Sequence, residues 1–430
     1  MKAMRVLLIS LSIILIIIII YKPKPLFSFP ASKPKGCVFN TVFGVTPLDT
    51  TFIYFPTSNV TGSINKGMEW LKEAQQKDGG WGAGFHNRQN IRDPHAVPTD
   101  PATTAIVAMS LLRTGTTLEK GPYKEALQGA VEYLLKAVES TPPDGSSICK
   151  LNGTQIQRKL GKNIDMIMAT QFFTNLLSEL KEDTPIYERV FNAMNKSVDV
   201  IQQLQDANGK IRGAGWAGVL QSALANNALE SAQVKGGWVD EDVLDMSREY
   251  QKGNYNPKTG QVSATDGAGV VLYAVSGSAR ACAKEARKAR AVIKEGKTKG
   301  LLVNEDEVSM ENLVKAGLNK DKALKYYSSY KIYESAKIKA QTKKVMTGFG
   351  NNGGEEFISY LQTGESLIIN KDVEWKKWFS NVSGQLLNIQ NNDGSWSGHH
   401  CITSPVFCTA TCVLILSVNN DIDELLNLGE

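Results

Sequence analysis

Apolar residues recur at i, i+3, i+4 and i+7 along most of the chain. No useful run alternates apolar with polar at the period of two that a half-buried strand requires. The chain is therefore expected to be all-α. Its helices come in a repeated phrase: an amphipathic helix ending in Gln, an Asp-Gly turn with Trp, then a polar cap opening a second, more apolar helix. Residues 67–81 carry the first copy, with Gln75, Asp78, Gly79 and Trp81, and an apolar run follows Asp100-Pro101. Residues 386–396 carry the last, with Gln390, Asp393, Gly394 and Trp396, followed by Ser404-Pro405 and an apolar run to Val418. Between them, residues 201–209 end in Asn208-Gly209 with Trp216 delayed, and residues 131–138 lead to Asp144-Gly145 without a Trp.

The turns keep a period. Asp78 to Asp144 is 66 residues, Asp144 to Asn208 is 64, and Asn208 to Asp393 is 185, or three further steps of the same size. Six helical hairpins are predicted over residues 61–420. Asp100 and Ser404 pair an N-cap acceptor with proline at the first helical position, and Asn163 precedes Ile164 in the same role. An open solenoid needs polar terminal caps, yet the last unit is as apolar as the first, so the hairpins are expected to close into a double ring of inner and outer helices.

Ahead of the repeat, residues 6–20 are all Val, Leu, Ile or Ser, flanked by Lys2, Arg5, Lys22 and Lys24. Through Tyr21 the segment reaches ~24 Å at ~1.5 Å per residue, against the ~30 Å of a bilayer core. Phe29-Pro30-Ala31-Ser32 is a poor cleavage site, which favours an uncleaved signal anchor over residues 1–21, with the globular domain on the extracytoplasmic side. Basic residues on both flanks compete for that orientation. Residues 22–60 read as a Pro-rich spacer and lead-in, and residues 421–430 as a C-terminal tail.

Composition sharpens this division. The chain has 430 residues, 42% hydrophobic and 21% charged, enough to bury a large core and too apolar for disorder. Its net +5 is unevenly spread: residues 1–36 hold six basic side chains and no acid, and residues 282–345 hold sixteen Lys/Arg against eight Asp/Glu, which leaves −9 for the rest. An acidic body argues against a nucleic-acid partner. The basic stretch, assigned to a helical insert at 281–345, fits either a solvated outer face or a surface laid against anionic headgroups. Six cysteines in a chain of this length do not define a disulfide framework.

The phrases Gln75…Asp78-Gly79-Gly80-Trp81 and Gln390…Asp393-Gly394-Ser395-Trp396, each followed by a Thr/Ala-rich helix, resemble the repeat of the squalene-hopene cyclase and protein prenyltransferase superfamily. The resemblance covers residues 61–418. It implies an α/α toroid around a central cavity, with the Gln and Trp of each repeat as structural ties between units.

The family's chemistries are less evident. Class II cyclases protonate an alkene with an Asp-x-Asp-Asp-Thr-Ala motif, and no such run exists here; Pro98-Thr99-Asp100-Pro101-Ala102-Thr103-Thr104-Ala105 is a partial echo in which Asp100 reads first as an N-cap. Asp240-Glu241-Asp242 sits where a helix starts and fits dipole compensation. Prenyltransferases hold zinc with Asp-x-Cys and a distant His. The tail around Cys401, Cys408 and Cys412 is similar in composition to that region, but the Asp-x-Cys half is absent. The four histidines, His86, His95, His399 and His400, all fall in equivalent loops of the first and last units. Ring closure would gather them at one mouth, where with Cys401 and Asp93 or Asp100 they are candidate ligands for zinc or another transition metal. Cys401 and Cys408 also fit a disulfide, and Cys408 and Cys412 fit small core residues. Small and hydroxyl residues on the second helices, such as Thr104, Thr174, Asn227 and Thr409, either line a cavity or let inner helices approach closely.

Two functions follow. One is a membrane-anchored binding protein for an isoprenoid, a lipid or a polypeptide partner that has lost the family's chemistry. The other is an enzyme on an isoprenoid-like substrate, working from the histidine-rich mouth or from Asp100 and Asp266.

Overall fold

A computed structural model describes residues 55–142, 145, 147–348 and 353–429. The apolar segment at 6–20 and Asp144 lie outside the described residues. Within them there are sixteen α-helices, short 3-10 turns and only isolated β-bridges, so the all-α expectation holds. No helix among these residues is long and apolar enough to cross a membrane.

The helices divide into two sets by which neighbours they pack against. The first set is α2 (Pro101–Arg113), α5 (Ile164–Leu177), α7 (Gly218–Val234), α9 (Val271–Thr298), α13 (Gly354–Ile369) and α15 (Pro405–Leu416). Every residue of α15 is buried, and all but one of α2. A helix apolar on all sides has no face to give to water and must be enclosed. These six pack in chain order, each against the next, and α15 packs back against α2, which closes an inner ring. The second set is α1 (Ser58–Glu73), α3 (Lys124–Glu139), α6 (Pro185–Leu204), α8 (Glu241–Gly253), α11 (Lys320–Ala340) and α14 (Trp375–Asn388), which cover the ring from outside. In most of them buried residues repeat at helical spacing, as in Val60, Ile64, Met68 and Leu71 of α1. Four short helices complete the chain: α4 (Gln155–Lys159), α10 (Met310–Lys315), α12 (Lys343–Met346) and α16 (Ile422–Leu428).

The repeated phrase ties the units. Gln75 donates from Nε2 to Gly79 O at 2.8 Å and to Ala126 O of α3 at 2.9 Å, so one amide holds its own turn and the next outer helix. Gln205 donates to Val243 O of α8 at 2.9 Å. Gln390 donates to Gly394 O at 2.8 Å and Ser63 O at 3.0 Å and accepts from Ser63 Oγ at 2.7 Å, which joins the last unit to α1. Trp81 and Trp396 are buried and each donates Nε1 to a carbonyl ten residues earlier, Leu71 O and Leu386 O, while their backbone N–H groups reach Thr104 Oγ1 and Thr409 Oγ1. Asp78 and Asp393 accept from the backbone two residues on, at Gly80 and Ser395. Gly79 and Gly394 have φ of 86° and 94°, and a Cβ there would meet Gly129 O at 2.6 Å or Lys66 O at 2.7 Å, so both the turn and the neighbouring helix demand glycine.

Caps follow the sequence in most places. Asp100 accepts from Thr103 N at 2.8 Å and Ser404 from Phe407 N at 3.4 Å. Asp240 accepts from Asp242 N and Val243 N at the start of α8. Asn163 occupies the cap position of α5, but its amide donates instead to Arg212 O at 2.7 Å, across the unit boundary. Residues 281–345 comprise the outer half of the 28-residue α9 with α10 and α11, packed on a small core of Ala289, Ile293, Leu302, Leu313 and Ala323. Residues 422–428 form α16 against α13.

Candidate functional site

N-terminal ends of neighbouring inner helices meet, where Asp165 accepts from Ala102 N, Tyr273 donates to Glu356 and Gly354 N donates to Ile402 O, and this end is the mouth. The four histidines lie there but separate. His95 is exposed beside Asp93 at 3.7 Å, and His399 is exposed at a groove with Trp70, Arg92 and Asp393. His86 packs edge-on against Trp216 with ring centroids 4.9 Å apart and meets Gln89 Nε2 at 2.7 Å, and the same Gln89 nitrogen donates to Cys401 O at 2.7 Å. His400 turns inward, with Nδ1 3.5 Å from Glu355 Oε1. The gathering expected of four imidazoles is thus reduced to His400, with His86 in the adjoining layer.

What fills the mouth is a buried charge cluster whose members come from four units. Glu355 and Glu356 occupy the first turn of α13, where the helix N-terminus favours carboxylates. Lys159, the last residue of α4, reaches Glu355 Oε1 at 3.1 Å and Cys401 Sγ at 3.5 Å, and lies 5.2 Å from the centre of the Tyr273 ring. Tyr273 donates to Glu356 Oε1 at 2.6 Å. Burial pulls the Glu355 carboxyl up, but His400 and Lys159 outweigh it and hold Glu355 below the usual carboxylate range. Burial and the adjacent Glu355 raise Glu356 to about 7. Burial, then Glu355, pushes the Cys401 thiol up to about 11, and this residue has φ of 55°, a left-handed conformation that only tight packing holds in a non-glycine residue.

Glu355, His400 and Cys401 bring a carboxylate oxygen, an imidazole nitrogen and a sulfur within 4.8 Å of one another, the one such metal-compatible group among the described residues. The group is a poor fit for zinc: it offers three ligand atoms, and the Lys159 ammonium, 3.1 Å from Glu355 Oε1 and 3.5 Å from Cys401 Sγ, already supplies positive charge between the carboxylate and the sulfur. Cys149, Cys282, Cys401, Cys408 and Cys412 are all free thiols, with Cys282, Cys408 and Cys412 buried in the core.

A second buried acid pair sits between the first two units. Asp100 accepts from Ala83 N at 2.9 Å and from Thr103 through both its N–H and its hydroxyl, and Asp165 accepts from Ala102 N at 3.0 Å and Gln157 Nε2 at 2.9 Å. Burial and then Asp165 raise Asp100 to about 7. Every carboxylate oxygen of the pair is engaged in holding a loop or helix start. Asp266 lies elsewhere, in the loop before α9, where burial raises its carboxyl but Lys210 at 2.6 Å and Tyr250 at 2.8 Å outweigh that and keep it low. Asp100 and Asp266 do not share neighbours.

A surface groove of about 440 Å³ adjoins His399, and a second cavity, of about 130 Å³, lies between the inner helices, all six of which contribute to its wall. Its wall combines apolar residues, among them Ile106, Met109, Leu112, Ile167, Leu224 and Leu414, with polar ones, among them Gln171, Asn175, Asn227, Ser231, Gln362 and Glu365. Leu425 and Leu428 of α16 border it. Among the hydroxyl residues singled out above, Thr174 and Asn227 line this space, while Thr104 and Thr409 anchor the tryptophan turns.

Sequence reasoning located the mouth but missed Lys159, Glu355, Glu356 and Tyr273. The only signal was positional: Lys159 and Glu355 fall in or beside the same class of loop as the histidines.

Residues 36–146 match the family model of the squalene-hopene cyclase C-terminal domain. No curated protein matches the chain. Among solved structures, the type II terpene cyclase MstE from Scytonema in complex with its substrate, geranylgeranyl dihydroxybenzoate, is similar at 14% identity and a TM-score of 0.43, over 85% of this chain and 98% of that one. The same cyclase in complex with its product, merosterolic acid A, gives 15% identity and a TM-score of 0.37 with the same coverage. The family match thus spans about a quarter of the chain, and over those residues the chain is similar to the squalene-hopene cyclase C-terminal domain, in keeping with the repeated Gln and Trp ties and the closed inner ring.

Proposed function

We propose that this protein binds an apolar ligand of the isoprenoid or lipid class in its ring cavity and carries out neither acid-initiated cyclisation nor zinc-dependent prenyl transfer. The observation that carries this reading is a separation. Neither of the carboxyls raised to about 7, Asp100 and Glu356, lines the ring cavity, and each is enclosed among groups that hold it. A proton donor for an alkene has to touch it. In this reading residues 6–20 tether the domain to a membrane, the source of its ligand.

The test is to purify the full chain from membranes, extract it with organic solvent and identify what co-purifies by mass spectrometry. A stoichiometric isoprenoid or lipid is expected, returned unchanged after incubation with fresh protein. Conversion of the compound would replace the binding reading with the enzymatic one, in which Glu356 at about 7 is the natural acid. Recovery of a bound polypeptide with no apolar compound would refute both.

A further inference from the structure

The polar part of the cavity wall contains a feature that a purely hydrocarbon occupant would not serve. Gln362 of α13 is 1% exposed, lines the cavity, and neither its Nε2 nor its Oε1 finds a hydrogen-bond partner in the protein. Arg280 of the adjacent α9 is 2% exposed and lines the same cavity. Its Nη1 donates to Glu230 at 2.7 Å, but its Nε has no acceptor. Buried amides and guanidinium N–H groups are almost always satisfied, so two orphaned groups on neighbouring inner helices mark a position where a ligand atom completes the set.

The charge around them selects the kind of atom. Three cations line the cavity, Arg113, Lys235 and Arg280, and each is already paired, with Glu365, Glu424 and Glu230 respectively. Four carboxylates line it, those of Glu179, Glu365, Asp421 and Glu424, so the net charge of the wall is −1. Glu365 Oε2 lies 3.9 Å from Arg280 Nε. An anionic head would meet that carboxylate without an unpaired cation to offset it. A neutral hydroxyl both donates and accepts, which matches the amide oxygen of Gln362 on one side and the N–H groups of Gln362 and Arg280 on the other.

Building on the binding reading above, we infer that the cavity takes a hydroxyl-headed amphiphile, an aliphatic or isoprenoid alcohol. Its oxygen lies between the Gln362 amide and Arg280 Nε–H, and its chain runs along the apolar residues Met109, Leu112 and Leu414.

Three probes of equal chain length, 1-decanol, decanoate and decane, separate the possibilities when titrated calorimetrically into the purified full chain. Decanol is expected to bind about tenfold or more tightly than either of the others, the scale of one or two hydrogen bonds made to otherwise orphaned groups. Gln362→Leu should bring decanol down to the affinity of decane and leave the melting temperature equal or higher, since it removes an unsatisfied amide; Gln362→Met serves the same comparison with an unbranched side chain. Decane or decanoate binding as tightly as decanol would overturn the alcohol assignment and leave the binding reading standing. A decanol preference that survives both variants would overturn the placement of the head at Gln362. Failure of all three probes to bind would overturn both.

Discussion

Lys159→Met is the perturbation that tests the mouth most directly. The Lys159 side chain is 1% exposed and its ammonium stands 3.1 Å from a carboxylate oxygen of the fully buried Glu355. Without it Glu355 keeps the His400 imidazole, at 3.5 Å, and the Ile402 N–H, at 3.4 Å, and still has Glu356 beside it. Stranding one member of a buried ion pair costs about 3–5 kcal/mol, whereas replacing both members by neutral groups is close to neutral. We expect Lys159→Met to lose about 3–5 kcal/mol, Glu355→Gln to lose a comparable amount by stranding the ammonium, and the double variant to recover most of it. Urea denaturation followed by tryptophan fluorescence measures these losses, because Trp81, Trp375 and Trp396 are buried. The pH dependence is a second handle. Glu355 is held below its usual value in the folded protein, so its share of stability is present above the ordinary carboxylate pKa and is lost as pH falls through the lower folded value. Burial lowers Lys159, but Glu355 outweighs that and raises it, so its share is present below the ordinary lysine pKa and is lost as pH rises through the higher folded value. In Lys159→Met the deficit should therefore be largest between the two folded values, around neutral pH, and shrink both as acid neutralises Glu355 and as strong alkali would neutralise Lys159 in the parent. A loss below about 1 kcal/mol, or losses that simply add in the double variant, would refute the claim that this pair locks the mouth.

Gln390→Ala removes three hydrogen bonds, two of them across the seam between the last unit and the first, and should cost about 1.5–4 kcal/mol, with faster hydrogen exchange concentrated in α1 and α14; exchange that rises evenly around the ring would show that the seam is not held there. Glu356→Gln removes a carboxyl whose folded value, raised to about 7, makes stability fall as pH rises from the ordinary carboxylate pKa to that value, so melting temperatures measured from pH 4 to 8 should decline less steeply than in the parent, and an unchanged slope would contradict the assignment. Chelation should leave the melting temperature where it is, because the Lys159 ammonium already stands against both the Glu355 carboxylate and the Cys401 sulfur; a fall on adding chelator that zinc reverses would overturn that reading.

The repeat was legible because its information is local. An Asp-Gly turn, a Gln three residues before it and a Trp three residues after Asp78 are read within a dozen positions, and the structure uses each of them in the same hydrogen bonds in the first and last units. The caps Asp100 and Ser404 were legible for the same reason, and Asn163 was misread because its amide found Arg212 O across a unit boundary. The period, a sum of local spacings, carried the count of six hairpins and the class of fold.

The candidate site was legible only to the level of which loops share an end. Equivalence of loops put His86, His95, His399 and His400 at the mouth, but packing turned His400 inward to Glu355 and left His95 and His399 in solvent. The ion pair of Lys159 with Glu355 joins residues 196 positions apart, and Gln362 and Arg280, with their orphaned groups, line one cavity from two inner helices. By itself, then, the sequence determined that this chain is a ring of helical hairpins, because turns, caps and amphipathic periods depend on neighbours along the chain. Which charges are buried together, and where space is left inside the ring, only the tertiary structure decided, because a residue's burial and partners depend on what the closing of the ring brings against it.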